Sequence, residues 1–347
     1  MDAVAEAAAC FPIQGTVRSI EAFGSGHIHD TFRLITSEAS YLIQRLNTDI
    51  FSQPASIFWN QKLIRPLVGQ GLIVDGLHTK QGEPGLELAE NLWRVQTFID
   101  QVYGPQKANS EKEVSEVAKG FALFDKACLA LNPNQFKEVI PDFHKLSWRL
   151  QQFQEALAQA SEERLEKAAE LIQKVHSHTW IDDQMNDLWE WGLPVRVCHN
   201  DTKADNVLLK KDSEEFQFVI DLDTVGPGAL LYDFGDLMRT MLSATGESEP
   251  NTDNITLNQS YFHSMAKAYK TVMWESITEL EKSSLVFGGL YMTFMMGVRF
   301  LTDYLNGDVY YKVSFENENW VRARNQLILL EELNKKRASL EKILKEI

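Results

Sequence analysis

The sequence predicts a two-lobed α+β protein, with a β-rich N-lobe over residues 1–100 and a mostly helical C-lobe over residues 101–347. Three observations lead there. At 347 residues the chain exceeds the size at which a single hydrophobic core usually stops growing, so its 44% of hydrophobic residues is expected to divide between two bodies. The apolar pattern is strand-like up to about residue 100 and takes a helical period from about Ser110 onward. A single β episode, over residues 195–222, then interrupts the helical half.

In the first lobe, short apolar stretches at Thr31–Leu34, Tyr41–Leu46, Leu72–Leu77 and Leu92–Ile99 read as strands. The turn signals Gly24-Ser25-Gly26, Thr36–Ser40 and Gly82-Glu83-Pro84-Gly85 separate them. One helix is expected from near Pro54 to about Val68, with Pro54 suited to a first turn. In the second lobe Val114, Val117, Phe121, Phe124 and Cys128 line one helical face, and Leu146, Leu150, Phe153 and Leu157 line another. Leu285–Val298 is too short to span a bilayer and reads as a core helix ending at Arg299. Leu330, Leu333, Leu340 and Leu344 mark a last helix that ends in a lysine-rich turn.

The β episode should contain strands at Val195–Cys198, Val207–Lys210 and Phe216–Leu222. A turn centred on Ser213 would pair Asn206 with Ile220, beside Asp221. An amide oxygen and a carboxylate then meet at one strand end.

Composition narrows the function. A formal charge of -15 argues against a nucleic-acid partner, because phosphate neutralisation needs a basic face. The three cysteines (Cys10, Cys128, Cys198) show no CxxC spacing, and the N-terminus carries Asp2 and Glu6 where a secretion signal would be basic. A cytoplasmic protein without a membrane span is the expectation.

The run VCHNDTKADNVLL holds His199, Asp201, Lys203 and Asn206 at the H-x-D-x-K-x-x-N spacing of a phosphoryl-transfer loop. Such transfer requires a positioned nucleophile and neutralised phosphate charge. Asp201 suits the acceptor hydroxyl's proton, Lys203 the transferring phosphoryl, and Asn206 with Asp221 the oxygens that Mg²⁺ prefers. The plain alternative is a polar surface turn. His199 reads as a packed scaffold residue, since Asp201 already fills the base's role.

Asp233-Phe234-Gly235 imitates a metal-binding D-F-G, but it lies 32 residues after Asp201 and opens a helical pattern, so helix capping or loop support suits Asp233 better. Gly24, Ser25 and Gly26 offer backbone N–H groups to phosphates, although His29 stands where G-x-G-x-x-G has its last glycine. The third strand, YLIQRL, lacks the lysine of the kinase pattern. Arg45 is its nearest cation for the α- and β-phosphates, with Gln44 on the opposite face.

With these residues the chain resembles the aminoglycoside phosphotransferase and choline kinase superfamily, and within it the N-acetylhexosamine 1-kinases. The shared segments are GHIHDTF (Gly26–Phe32), YLIQRLNT (Tyr41–Thr48), HNDTK (His199–Lys203), VIDLDTVGPG (Val219–Gly228), YDFGD (Tyr232–Asp236) and RFLTDYLNGDVYY (Arg299–Tyr311). The resemblance implies a two-lobed protein-kinase-like fold and transfer of phosphate from ATP to the anomeric hydroxyl of N-acetylglucosamine or N-acetylgalactosamine. It implies ATP between the lobes, with adenine against Phe98, Ile99 and Asp100. It also implies an amino sugar beside Asp201, with Arg299, Asp303, Asp308 and Tyr310 as polar and aromatic contacts. Asp223, two residues beyond Asp221 and so on the same strand face, is expected to accept from a sugar hydroxyl or assist the metal, and His27 is a further candidate for sugar or phosphoryl contact. Choline, homoserine or an aminoglycoside remains open as acceptor, as does a non-catalytic binding protein of the same shape. Oligomeric state is not legible.

Overall fold

The structure, a computed structural model, describes residues 2–24, 28–51, 53–243 and 245–347. The chain is bilobal and α+β, a β-rich N-terminal region leading into a largely helical one, in the manner of a protein kinase. It opens with α1 (Asp2–Ala9), followed by β1 (Val17–Ala22), β2 (Asp30–Thr36), β3 (Ser40–Arg45), α2 (Pro54–Ile64), β4 (Gly76–Leu77), β5 (Leu86–Leu88) and β6 (Asn91–Thr97). The strands form one antiparallel sheet in the order β1-β2-β3-β6-β4, with β5 also paired to β6. Period-two alternation gives this sheet two different faces. Tyr41, Ile43, Trp93 and Val95 pack under Val4, Ala7, Ala8 and Phe11 of the first helix and its exit. Leu42, Gln44, Arg94 and Gln96 face the other way, into a cleft of about 450 Å³ that Asn206 and Asp221 also line.

The expected strands and helix are present with different limits. Leu72–Leu77 is a strand only at Gly76–Leu77; its start reaches across to the second lobe, where Leu72 accepts the Val219 N–H at 2.8 Å and Ile73 bridges Val219. The helix from Pro54 stops at Ile64 and tightens into a 3₁₀ turn at Arg65–Leu67, because Pro66 has no N–H to continue the α pattern. The strand from Leu92 ends at Thr97 rather than Ile99. Three elements of this lobe lie outside the expected set: α1, whose alanines carry little amphipathic contrast, the half-exposed β1, and β5, only three residues long.

Beyond β7 (Val102–Tyr103) come α3 (Glu111–Cys128), α4 (Leu146–Gln159), α5 (Glu162–Ser177) and α6 (Trp180–Glu190). The β episode supplies β8 (Arg196–Cys198), β9 (Val207–Lys210), β10 (Phe216–Val219) and β11 (Gly226–Gly228). Four further helices complete the chain: α7 (Leu230–Met241), α8 (Gln259–Met273), α9 (Glu279–Leu305) and α10 (Glu318–Glu346). The anticipated faces are buried, from Val114, Val117, Phe121, Phe124 and Cys128 in α3 to Leu330, Leu333, Leu340 and Leu344 in α10. α9 does not end at Arg299 but runs six residues further to Leu305, long and apolar enough to cross a bilayer by composition. Most of it is buried against α7, α10 and α4 instead.

The α7–α9 crossing depends on two glycines. A methyl group on Gly288 would lie 2.0 Å from the Leu231 carbonyl oxygen, and one on Gly235 would lie 2.1 Å from the Gly288 oxygen. Both neighbours are backbone and have no rotamer to yield. Gly288→Ala is therefore expected to cost about 3 kcal/mol in urea unfolding, near the upper end of overpacking effects. Gly246→Ala, where nothing stands within 4 Å of the added methyl, should leave the midpoint unchanged.

Candidate active site

The loop after β8 is fixed from below before any reactive group is placed. Asp233, buried in the first turn of α7, accepts the backbone N–H groups of His199 at 2.7 Å and Asn200 at 2.8 Å, and its own carbonyl accepts the Thr202 hydroxyl at 2.6 Å. This is loop support; the cap position itself belongs to Ala229. His199 is fully buried between the edge-on rings of Phe121 and Phe124, with centroids 5.5 Å away in each case, and its Nε2–H donates to the Ile220 carbonyl at 2.9 Å. It ties the loop to the end of β10, as a scaffold residue would.

The hairpin forms in the expected register. Val207 faces Val219, and one step beyond the strands the Ile220 N–H donates to the Asn206 carbonyl at 2.9 Å. Asn206 and Asp221 are thereby neighbours. The Asn206 amide nitrogen donates to the Asp201 carbonyl at 2.8 Å and to its carboxylate at 3.2 Å, leaving the amide oxygen uncommitted. Lys203 Nζ stands 3.6 Å from the Asp201 carboxylate, and the charge of Asp201, opposed by burial and assisted by Asp205 and Asp221, raises its ammonium. Asp201, Lys203, Asn206 and Asp221 thus converge.

The strand expected to run to Leu222 ends at Val219, and Asp221 takes a left-handed conformation (φ 57°) before a 3₁₀ turn at Leu222–Thr224. Aspartate is among the few non-glycine residues that adopt this geometry readily. No hydrogen-bond donor among the described residues reaches the Asp221 carboxylate. It opens to the cleft yet is enclosed by both lobes, and that enclosure, with the charges of Asp223 and Asp201, raises its carboxyl to about 6.

Asp223 is where the reading needs correction. It does not share a strand face with Asp221, because the turn rotates it into the N-terminal lobe. There its two oxygens take Arg94 Nη2 at 2.9 Å, Gln61 Nε2 at 3.1 Å and His29 Nε2 at 2.7 Å, with a further short contact from Arg94 Nη1. Burial alone would raise this carboxyl, but Arg94 and His29 hold it well below the usual carboxylate range. His29 Nδ1 accepts the Asn47 N–H at 3.0 Å, so Nε2 carries the proton given to Asp223. The histidine in place of a glycine belongs to an interlobe clamp.

Arg45 turns away from the cleft and pairs with Asp30, its Nε 2.9 Å from the carboxylate. Period-two geometry explains this: Gln44 faces the cleft, where it accepts Arg94 Nε at 2.8 Å. Sequence reasoning missed Arg94 because its parity becomes meaningful only once β3–β6 register pairs it with Gln44. Phe98 lies under the Arg33 guanidinium at 4.0 Å, Asp100 pairs with Arg33 at 3.2 Å, and the Ile99 backbone makes no hydrogen bond among the described residues. Gly24 has φ 79°, while Ser25, Gly26 and His27 lie outside the described residues.

On the far side of Asp201, Arg299 lies over the faces of Phe143, Tyr311 and Tyr310 at 5.1, 5.6 and 5.8 Å. With Arg149, Gln152, Thr302 and Asn306 it lines a second cleft of about 400 Å³. Tyr310 is half exposed at its mouth. Asp303 and Asp308 shape this wall without facing an acceptor: Asp303 accepts the N–H groups of Val309, Tyr310 and Tyr311, and Asp308 pairs with Arg164 at 2.9 Å.

A bilobal kinase-like body carrying one convergent Asp–Lys–Asn–Asp group is the architecture of a phosphotransferase-type enzyme. The family model described as phosphotransferase enzyme family (APH) matches residues 19–267, and the chain belongs to that family. Solved structures share the fold at low identity. An aminoglycoside phosphotransferase from Alicyclobacillus acidocaldarius superposes with a TM-score of 0.68 at 13% identity, covering 99% of this chain and 96% of the other. A microcompartment-associated aminopropanol kinase gives 0.64 at 12%, covering 97% of each. A choline kinase from Streptococcus pneumoniae gives 0.58 at 11%, covering 91% and 94%.

Two outcomes follow from the buried charges. Arg94→Met leaves Asp223 buried and half-paired, so chemical unfolding should show a loss of about 3 kcal/mol. Behind the loop, Asp125 of α3 is buried near Asp233, Tyr269, Cys128 and Cys198, accepts the Tyr269 hydroxyl at 2.7 Å, and is pushed by burial up to about 7. A carboxyl raised on folding contributes its stability at acid pH and loses it as pH rises through about 7. Asp125→Asn should therefore flatten the fall in melting temperature between about pH 4 and about pH 7.

Proposed function

We propose that the chain transfers the γ-phosphoryl group of ATP to the anomeric hydroxyl of N-acetylglucosamine or N-acetylgalactosamine, giving the sugar 1-phosphate and ADP. The observation that carries the reading is the Asp201 carboxylate, held at 3.2 Å by Asn206, which lines the first cleft, and at 3.6 Å by Lys203. Asp201 orients the hydroxyl and takes its proton as the oxygen bonds to phosphorus and the bond to ADP breaks. Lys203, kept charged by its neighbours, meets the negative charge of the transferring group.

Asn206 and Asp221 would hold Mg²⁺. The fit rests on the uncommitted amide oxygen of Asn206 and on a cleft-facing carboxylate that no donor reaches, an oxygen set that magnesium completes with phosphates and water. Bound there, the ion would neutralise phosphate charge. Adenine is assigned to the linker at Phe98, Ile99 and Asp100, supported by the free backbone edge of Ile99. Gly24, Ser25 and Gly26 belong to the phosphate side. Arg45 loses support there, because its guanidinium is engaged by Asp30 on the outer face.

For the acceptor, Arg299 and Tyr310 are assigned to the sugar, with His27 from the first lobe; Asp223 is better suited to holding the lobes in register. The solved relatives named for choline and aminopropanol handle cationic acceptors. The two arginines of the second cleft, of which Arg299 feels the charge of Asp201, oppose such an acceptor here and favour a neutral or anionic one. A cytoplasmic setting fits the use of ATP and the three free thiols.

Incubation with Mg-ATP and a panel of amino sugars, neutral sugars and amino alcohols should yield ADP and an anomeric phosphate by ³¹P NMR. Asp201→Ala should lower turnover by a factor of about 10³ or more, within the range for loss of a catalytic base and its positioning. ADP release no faster than in the Asp201→Ala variant with every acceptor rules out the kinase reading. A phosphate ester on a primary alcohol replaces the 1-kinase with another member of its class.

A further inference from the structure

Most arginines of the helical lobe that are withdrawn from solvent face a carboxylate: Arg164 meets Asp308, Arg196 meets Glu281, Arg239 meets Asp236 and Glu247, and Arg322 meets Glu318. Arg149 and Arg299 do not. Arg149, on α4, gives Nη1 to the Gln152 side chain at 2.8 Å and Nη2 to the Phe143 carbonyl at 3.1 Å, while its buried Nε–H has no acceptor. Arg299, on α9, meets no carboxylate among the described residues; its polar contacts are the Met296 sulfur at 3.7 Å and the Tyr310 side chain. The aromatic faces around it stabilise the cation but accept none of its in-plane N–H groups. Both side chains are half-buried and line the same 400 Å³ cleft.

They also repel each other. Burial first, and then the charge of Arg299, lowers the Arg149 guanidinium to about 10. The nearby acids do not relieve this. Asp303 is spent on three backbone N–H groups and Asn319, and Glu155 sits at the exposed rim accepting from Gln151. Asp201 adds its field to Arg299 from the opposite side without forming an ion pair with it. In a chain of formal charge -15, two guanidiniums held together without a counter-ion have donors to spare, and oxyanions are the groups whose geometry matches them.

We propose that this cleft is an oxyanion site, in which Arg149 and the in-plane edge of Arg299 bind a carboxylate or phosphate substituent carried by the N-acetylhexosamine, away from the anomeric hydroxyl that Asp201 addresses, so that the acceptor is a charged derivative of that sugar rather than the unsubstituted one. Arg149 is then a specificity residue that separates anionic from neutral acceptors. That the anion is part of the acceptor rests on the function proposed above; the anion site itself does not.

The test is calorimetric titration of inorganic phosphate into the full-length protein, alone and with a non-hydrolysable Mg-ATP analogue occupying the nucleotide side. Wild type should bind phosphate in both states, Arg149→Met should weaken it about tenfold or more, and Arg149→Lys, which keeps the charge but loses the fork, about threefold. Unchanged melting temperatures for both variants establish that they fold. No phosphate binding, or equal binding by wild type and Arg149→Met, overturns the proposal. Competition then identifies the source: displacement by a hexose 6-phosphate points to phosphate, and by a hexuronate to carboxylate. A neutral hexose that competes as well as either refutes the acceptor assignment. Absence of ADP release with every acceptor would defeat the kinase reading and leave the phosphate isotherms intact.

Discussion

A single buried carboxylate sets the geometry on which the rest of this molecule depends. Asp233 accepts the N–H groups of two successive loop residues, His199 and Asn200, and so fixes the peptide that delivers Asp201. One of those residues, Asn200, is left-handed (φ 63°), a conformation asparagine tolerates better than most residues and that the Asp233 hydrogen bond holds in place. The grip is strong because it is dry: in the low dielectric behind the loop, hydrogen bonds from amides to a carboxylate exceed their value at the surface. Asp125 lies close behind, and burial, with the charge of Asp125, pushes the Asp233 carboxyl well above the usual carboxylate range; burial raises that of Asp125 too.

The second organising charge is Asp223, which does for the lobes what Asp233 does for the loop. Its oxygens collect donors from β2's entry, α2 and β6, so the cleft face of the first sheet is bound to the turn that carries Asp221. Arg94 is the central partner. It joins Gln44 on one side and Asp223 on the other, which places the cation of this cleft on β6 rather than on the third strand. Lobe closure and the placement of the Asp221 carboxylate are therefore one mechanical event.

The sequence was most legible where chemistry and local pairing coincide. Asn206 and Asp221 could be brought together from hairpin length alone, because β9 and β10 are adjacent in the chain and period-two pairing leaves little choice of register. His199 could be assigned to packing because Asp201, two residues on, already fills the base's role. The first-lobe cations were not legible: Arg45 and Arg94 have equal claims until nonlocal β3–β6 pairing fixes which face each occupies. Asp223 misled for a related reason, since strand parity fails as soon as Asp221 adopts positive φ and the chain turns. The end of α9 was placed too early because Arg299 reads as a polar stop, whereas the helix carries that arginine on a wall of the cleft and continues.

α9 has a consequence beyond filling the core. Its first turn is locked by a capping box in which Glu281 also holds Arg196, the residue that opens the strand feeding the loop. Midway, Tyr291 donates its hydroxyl to the His144 carbonyl and receives the Leu146 N–H, and further along stands Arg299. One continuous helix thus spans from the root of the Asp201 loop to the Arg299 cleft, and a helix advances about 1.5 Å per residue with little give. The separation between that loop and that cleft is measured out by a rod, so substitutions of core residues along α9 can alter it without touching either end.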